Sequence, residues 1–192
     1  MNNIDKAVEI LEKGGVIVFP TDTAFGIGCR IDRLEAIERL FKIRKRPFDM
    51  ATPVLVSDLE MAKPYWDSDT KEIEEKLISN YWPGALTIIL KANKKLVPSL
   101  VRGGGENIGI RMPANDLILE IIKKSGVPIL APSANLHGEQ TPYSINDLNK
   151  YIVQSVDLVL EGETHFKNAS TVIDCTKKPW QILRQGALSV NI

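Results

Sequence analysis

The chain has 192 residues, 44% apolar and 25% charged, enough for one sizeable core. Its 24 Lys and Arg balance 24 Asp and Glu, and a zero formal net charge argues against a surface given over wholly to nucleic acid, though not against a local basic groove. No apolar run approaches the roughly 20 residues of a membrane span, Met1-Asn2-Asn3-Ile4-Asp5 lacks the regions of a signal peptide, and two distant cysteines, Cys29 and Cys175, do not make a disulfide framework.

A single domain over residues 1–192, in a reducing cytoplasm, is therefore the expectation. Ile4, Ala7, Val8 and Leu11 recur at helical spacing and stop at Gly14-Gly15. Val16 to Phe19 is short, apolar and β-branched, a buried strand ended by Pro20, and Thr21 to Gly28 reads as a loop or bend with two glycines. Leu34, Ile37, Leu40 and Phe41 mark a second amphipathic helix, closing at Arg46-Pro47, before a buried strand at Pro53 to Val56. Ile73, Leu77 and Ile78 predict a helix that runs into the stop Tyr81-Trp82-Pro83-Gly84.

Leu86 to Leu90 and Ile108 to Ile110 are strands around a loop rich in Gly and basic residues. A helix over Leu117, Ile118, Ile121 and Ile122 starts from Asn115, a good N-cap, and the apolar run Val127 to Leu130 follows it. Ser144 to Asp147 resembles a capping box for a short helix. Short strands at Leu158 to Leu160, Thr171 to Ile173 and Ile182-Leu183 complete the chain. Strands and helices interleave without a strict βαβ rhythm, which predicts an α/β fold: one twisted, mixed sheet with flanking helices.

Several polar groups sit where buried strands end. Ser133 and Asn135 follow the run Val127 to Leu130, and Thr141-Pro142 comes shortly after. Thr21-Asp22-Thr23 follows the first strand; its hydroxyls could hold a substrate carboxylate or amine, or simply close a turn, and Asp22 could help hold a cation. Lys42-Ile43-Arg44-Lys45-Arg46-Pro47 is either a set of cations placed well at a helix C-terminus or a phosphate clamp. Four cations in five positions repel one another unless an anion visits, and the proline turn would aim them together.

Arg111, at a strand exit, suits either bidentate pairing with a carboxylate or a structural salt bridge. Arg102-Gly103-Gly104-Gly105 lacks the Walker spacing and reads as a mobile loop or lid. His137 and His165 lack metal-ligand spacing to either cysteine, and no Ser-His-Asp set can be assigned.

In order, GGVIVFPTDTAFGIG (Gly14 to Gly28), Phe41 to Val56, Ile108 to Pro113, Ala131 to Pro142, Ser170 to Asp174 and Leu183 to Ala187 resemble the YrdC-like family of threonylcarbamoyl-AMP synthases. Each motif is weak alone; six with consistent spacing across nearly the whole chain are specific. The resemblance implies a largely antiparallel mixed sheet with helices around a concave basic cavity, in a short single-domain form. It implies a nucleotidyltransferase that joins L-threonine, bicarbonate and ATP into threonylcarbamoyl-adenylate and pyrophosphate. That product supplies the tRNA threonylcarbamoyl-transfer machinery that modifies adenosine 37.

Carried over by position, Thr23, Arg111 and Ser170 would contact threonine. Arg44 and Arg46 would face the phosphates of ATP, and Ser133, Asn135, Thr141 and Arg184 would line the adenylate side. Mg2+ would arrive with the triphosphate, and no covalent nucleophile is required. Two positions depart from the family pattern: Arg44 replaces the usual lysine of a KxR motif, and Ser57 replaces a frequent histidine. A binding module for transfer or double-stranded RNA is the main competing expectation, followed by a carbamoyl-transfer domain like that of larger hydrogenase-maturation proteins.

Overall fold

The structure, a computed structural model, describes residues 2–191. Helix α1 (Asn3–Glu12) begins where the Asn2 side chain accepts the Asp5 N–H and buries Ala7 and Leu11. These pack on Ile118, Ile121 and Ile122 of α6 (Asp116–Ser125), which Asn115 caps as expected and Gly126 ends in a left-handed turn. Between the two helices and the rest of the protein lies β1 (Ile17–Pro20), buried on both faces. Ile17 and Phe19 join the α1–α6 cluster, whereas Val16 and Val18 face the larger core.

The residues Phe25–Gly28, expected as part of a loop, form β2 instead, antiparallel to β1 in the register Ile17↔Gly28 to Pro20↔Phe25. Two glycines hid the strand, and tertiary contact explains them. A Cβ on Gly28 would stand 2.2 Å from the Leu130 carbonyl oxygen. The missing side chain lets β2 approach the 129–134 segment, where Ile27 N–H donates to Pro132 O and Ala134 N–H to Phe25 O.

Among the described residues nine strands fall into two mixed sheets with flanking helices. The smaller has the order β2-β1-β7, with β7 (Leu158–Val159) parallel to β1. The larger has the order β6-β3-β5-β4-β8-β9. Its members are β3 (Val54–Leu55), β4 (Leu86–Lys91), β5 (Asn107–Arg111), β6 (Ile129–Leu130), β8 (Thr171–Asp174) and β9 (Gln181–Arg184). The one sheet expected from the sequence is thus divided, and isolated bridges at Gly26↔Ser133 and Arg30↔Ile129 stitch its parts together.

Helix α2 (Leu34–Ile43) buries Ala36, Ile37, Leu40, Phe41 and Ile43 against the larger core. Against the same core, α3 (Leu59–Ala62) is followed by α4 (Lys71–Ile73) and α5 (Ser79–Tyr81), which frame a π-helical turn at Glu74–Ile78. The capping segment at Ser144 folds as a 3-10 turn, Ile145–Asp147, and α7 (Lys150–Ser155), which lacked a sequence signal, follows it. Among the described residues no helix is long and apolar enough to cross a membrane, and Cys29 and Cys175 are free and buried.

Candidate functional site

A cavity of about 200 Å3 opens where the two sheets meet. Its floor crosses the larger sheet, from Leu55 on β3 through Arg111 on β5 and Thr87 on β4 to Ser170 just before β8 and Arg184 at the end of β9. Its walls come from Thr21 and from Thr23 to Gly26, from Ala131 to Ser133 with Thr141, and from Arg44 and Arg46 at the end of α2. Eight of the nine site residues expected from the sequence line this one space: Thr23, Arg44, Arg46, Arg111, Ser133, Thr141, Ser170 and Arg184.

Asn135 does not line it. The residue is buried behind Arg44, where its backbone oxygen accepts Arg44 Nε at 3.0 Å and its Oδ1 accepts Arg44 Nη2 at 3.2 Å. Ser133 Oγ donates to the same Oδ1 at 2.5 Å, and the Asn135 amide donates to the carbonyls of Leu136 and Glu139. Ser133 and Asn135 therefore work as a pair, one on the cavity wall and one fixing a cation.

The basic run does not act as one cluster. Lys45 adopts φ +50° just after α2, Lys45 N–H donates to Lys42 O, and Arg46 N–H reaches back to Phe41 O. This is a Schellman turn with lysine at the position glycine usually takes. It points Arg44 and Arg46 inward while Lys42 and Lys45 stay exposed, Lys45 lying over the Tyr151 ring at 5.4 Å. The turn is made at Lys45 rather than by Pro47.

Arg111 is already engaged. Its guanidinium forms a buried ion pair with Asp22 through Nη2, donates Nη1 to Thr23 Oγ1 at 2.7 Å and Nε to Gly84 O at 2.9 Å. The structural ion pair is one of the two sequence readings of Arg111, and the residue also lines the cavity. Thr21 closes the turn above it: Thr21 Oγ1 donates to Ala24 O and accepts the Thr23 and Ala24 N–H groups. The Asp22 carbonyl accepts N–H groups from His165 and Phe166, which tie the turn to the 161–168 loop. The cation that Asp22 holds is the Arg111 guanidinium.

Burial lowers the pKa of all four cavity arginines, because the charged form loses water. Arg44 falls to about 10, with the neighbouring charge of Arg46 adding to the burial. Asp22 opposes the shift at Arg111; among the described residues Arg44, Arg46 and Arg184 have no carboxylate partner. Arg44 Nη1 and Arg46 Nε are shielded from solvent and without a hydrogen-bond partner. Among the described residues the lining carries four guanidinium groups, three of them without a carboxylate partner, together with hydroxyls and no Asp or Glu, a chemistry that suits an acceptor-rich anion.

Sequence reasoning missed Thr87. It is a lone hydroxyl in the apolar run Leu86 to Leu90, buried to 4% exposure, and it meets Ser170 Oγ at 2.9 Å. A polar residue in the middle of a buried strand was the available signal. The Arg102 to Gly105 segment stands apart from the lining: a Cβ on Gly103 would lie 2.4 Å from Ala51 N, so the turn is packed against the 49–51 backbone. Ser57 also lies off the cavity and donates to Asp58 Oδ2 at 2.8 Å, while His137 is exposed.

Residues 9–186 match the Sua5_yciO_yrdC family model, described as telomere recombination. A threonylcarbamoyl-AMP synthase of Pyrococcus abyssi is 32% identical over 186 residues, 96% of this chain and 54% of that protein. The uncharacterized protein YciO of Escherichia coli K12 is 33% identical over 189 residues, covering 98% of this chain and 91% of its own. Among solved structures, P. abyssi Sua5 complexed with L-threonine superposes with a TM-score of 0.88 at 31% identity, over 95% of this chain and 54% of that one. The chain spans about half the length of the Pyrococcus relative and most of the Escherichia one.

Proposed function

The chain belongs to the Sua5/YciO/YrdC family, and on that footing we propose that it is an L-threonylcarbamoyladenylate synthase, a nucleotidyltransferase acting on L-threonine, bicarbonate and ATP. The observation that carries this reading is the set of three cavity arginines without a carboxylate partner, Arg44, Arg46 and Arg184, beside the self-neutralised Arg111–Asp22 pair. Arg44 and Arg46, together at the end of α2, suit a triphosphate, and the neutralised Arg111–Asp22 pair suits a zwitterionic amino acid.

In this reading the amine of threonine takes up carbon dioxide or bicarbonate as a carbamate. A carbamate oxygen attacks the α-phosphorus of ATP, and the α–β P–O bond breaks to release pyrophosphate. No side chain forms a covalent intermediate. Thr23, Arg111 and Ser170 orient threonine, Ser133, Thr141 and Arg184 face the adenylate, and Arg44 and Arg46 offset the charge that gathers on the leaving phosphates. Asn135 serves by holding Arg44. Mg2+ enters as part of the nucleotide substrate, since the lining offers guanidinium and hydroxyl groups rather than carboxylates. The unstable product would pass to the machinery that transfers threonylcarbamoyl to adenosine 37 of tRNA, in the cytoplasm.

The test is pyrophosphate release from ATP by the purified protein, with threonine and bicarbonate each left out in turn. Release should require both, and Arg44→Ala or Arg46→Ala should lower ATP turnover more than threonine binding. Turnover indifferent to either omission overturns the reading, as does salt-sensitive RNA binding with no ATP-dependent chemistry.

A further inference from the structure

The centre of the cavity floor is Thr87. Leu55 pairs with Arg111 and Ile110 with Ile88, so Thr87, one residue before Ile88, falls opposite Arg111. On its other side Thr87 pairs with Val172, and Val172 with Arg184. Neighbouring strands lie about 4.8 Å apart, so Thr87 stands one strand from Arg111 and two from Arg184, with Ser170 in direct contact at 2.9 Å.

The protons of this contact do not all find partners. Each hydroxyl carries one donor proton and can rotate it. Arg184 Nη2 donates to Ser170 Oγ at 3.1 Å, and Thr87 Oγ1 and Ser170 Oγ share a single hydrogen bond. If Ser170 donates to Thr87, the Thr87 proton is left over; if Thr87 donates, the Ser170 proton is. No other protein acceptor among the described residues meets either oxygen, and both residues line the cavity while buried to 4% and 7% exposure. In both arrangements one O–H donor remains for whatever occupies the floor, between two arginines that exclude a cation.

We infer that Thr87 and Ser170 form a single, shared donor to a carboxylate oxygen of the bound amino acid, so that Thr87 is a substrate-recognition residue interchangeable with Ser170. The inference rests on the functional reading above. The carboxylate rather than the triphosphate is the acceptor because Thr87 adjoins Arg111, whereas Arg44 and Arg46 enter from the end of α2.

A shared donor has a signature that separate contacts lack. Removing one hydroxyl frees the proton of the other, so Thr87→Val and Ser170→Ala alone should each weaken L-threonine binding by no more than about threefold. The double variant loses the donor and should bind about thirtyfold or more weakly, beyond the roughly ninefold product that the singles allow, with ATP affinity preserved. Restoring a hydroxyl by Thr87→Ser in the Ser170→Ala background should recover the binding. Titration calorimetry with L-threonine and with ATP reads each case, thermal melts check folding, and Thr87→Ala with Ser170→Ala supplies a second double variant without the added methyl group. Multiplicative effects, no effect in the double variant, or a loss of ATP affinity in place of threonine affinity overturns the inference alone. Wild-type protein that binds no L-threonine overturns the functional reading, and this inference with it.

Discussion

Asn135 grips Arg44 at two points, through its backbone oxygen to Nε at 3.0 Å and through Oδ1 to Nη2 at 3.2 Å, and so leaves Nη1 as the free end of a guanidinium on the cavity wall. Both residues are buried, and a side chain as long as arginine keeps one direction only when its neighbours fix it. Asn135 in turn is fixed by Ser133, Leu136 and Glu139.

Asn135→Ala removes the Oδ1 contact but leaves the backbone one. ATP affinity should fall by about tenfold, the lower end of the range of about 1.5–3 kcal/mol expected for a hydrogen bond to a charged group. Threonine affinity should change little. ATP and threonine titrations of the same variant decide the point, and equal loss of both would mean that Asn135 supports the fold rather than Arg44.

The Arg111–Asp22 pair should matter to folding as well as to the site. Both side chains are buried, and Asp22→Ala would leave the guanidinium charged without its partner. Loss of one member of a buried pair costs about 3–5 kcal/mol. For a chain of this size the midpoint of thermal unfolding should drop by roughly 10 °C. A melt of the variant within a degree or two of wild type would show that water or a rearranged neighbour satisfies Arg111.

Pyrophosphate alone should stabilise the protein. The arginines that burial penalises, Arg44, Arg46 and Arg184, regain a partner when an anion binds, and at a hundredfold excess over its dissociation constant a ligand adds about 2.7 kcal/mol. The rise in melting temperature should shrink as salt increases. It should also shrink in Arg44→Ala. A rise that is insensitive to salt and to this substitution would place the anion elsewhere.

Lys45 carries a left-handed backbone, φ +50°, that costs an L side chain about 1 kcal/mol relative to glycine. Lys45→Gly should therefore hold or raise stability toward urea by up to about 1 kcal/mol, even though it adds flexibility to the unfolded chain. A clear loss would show that the contact of Lys45 with Tyr151 outweighs the strain.

The sequence was most legible where one physical rule acted alone. Helical spacing marked α1, α2 and α6, continuous apolar runs marked β1, β3, β4 and β5, and Asn115 announced its helix. Phe25 to Gly28 resisted because glycine is a poor strand former in isolation, and only the passage of Leu130 O at 2.2 Å from a would-be Cβ gives Gly28 its reason. Thr87 resisted because one hydroxyl in an apolar strand has no meaning until its neighbours across the sheet are known.

By itself the sequence determined the mixed α/β class and the run of polar groups at strand ends, which follow from local periodicity, and its resemblance to the YrdC-like family pointed to the residues that converge on the cavity. The tertiary structure decided which of those residues face the cavity and which hold others in place. Ser133 lines the wall while Asn135 stands behind Arg44, and Arg44 and Arg46 turn inward while Lys42 and Lys45 do not. The reason is geometric. A side chain's partners are set by strand register, by a left-handed residue at a helix end and by contacts between segments some 90 positions apart, such as Arg44 with Asn135 and Arg111 with Asp22, and no spacing along the chain encodes them.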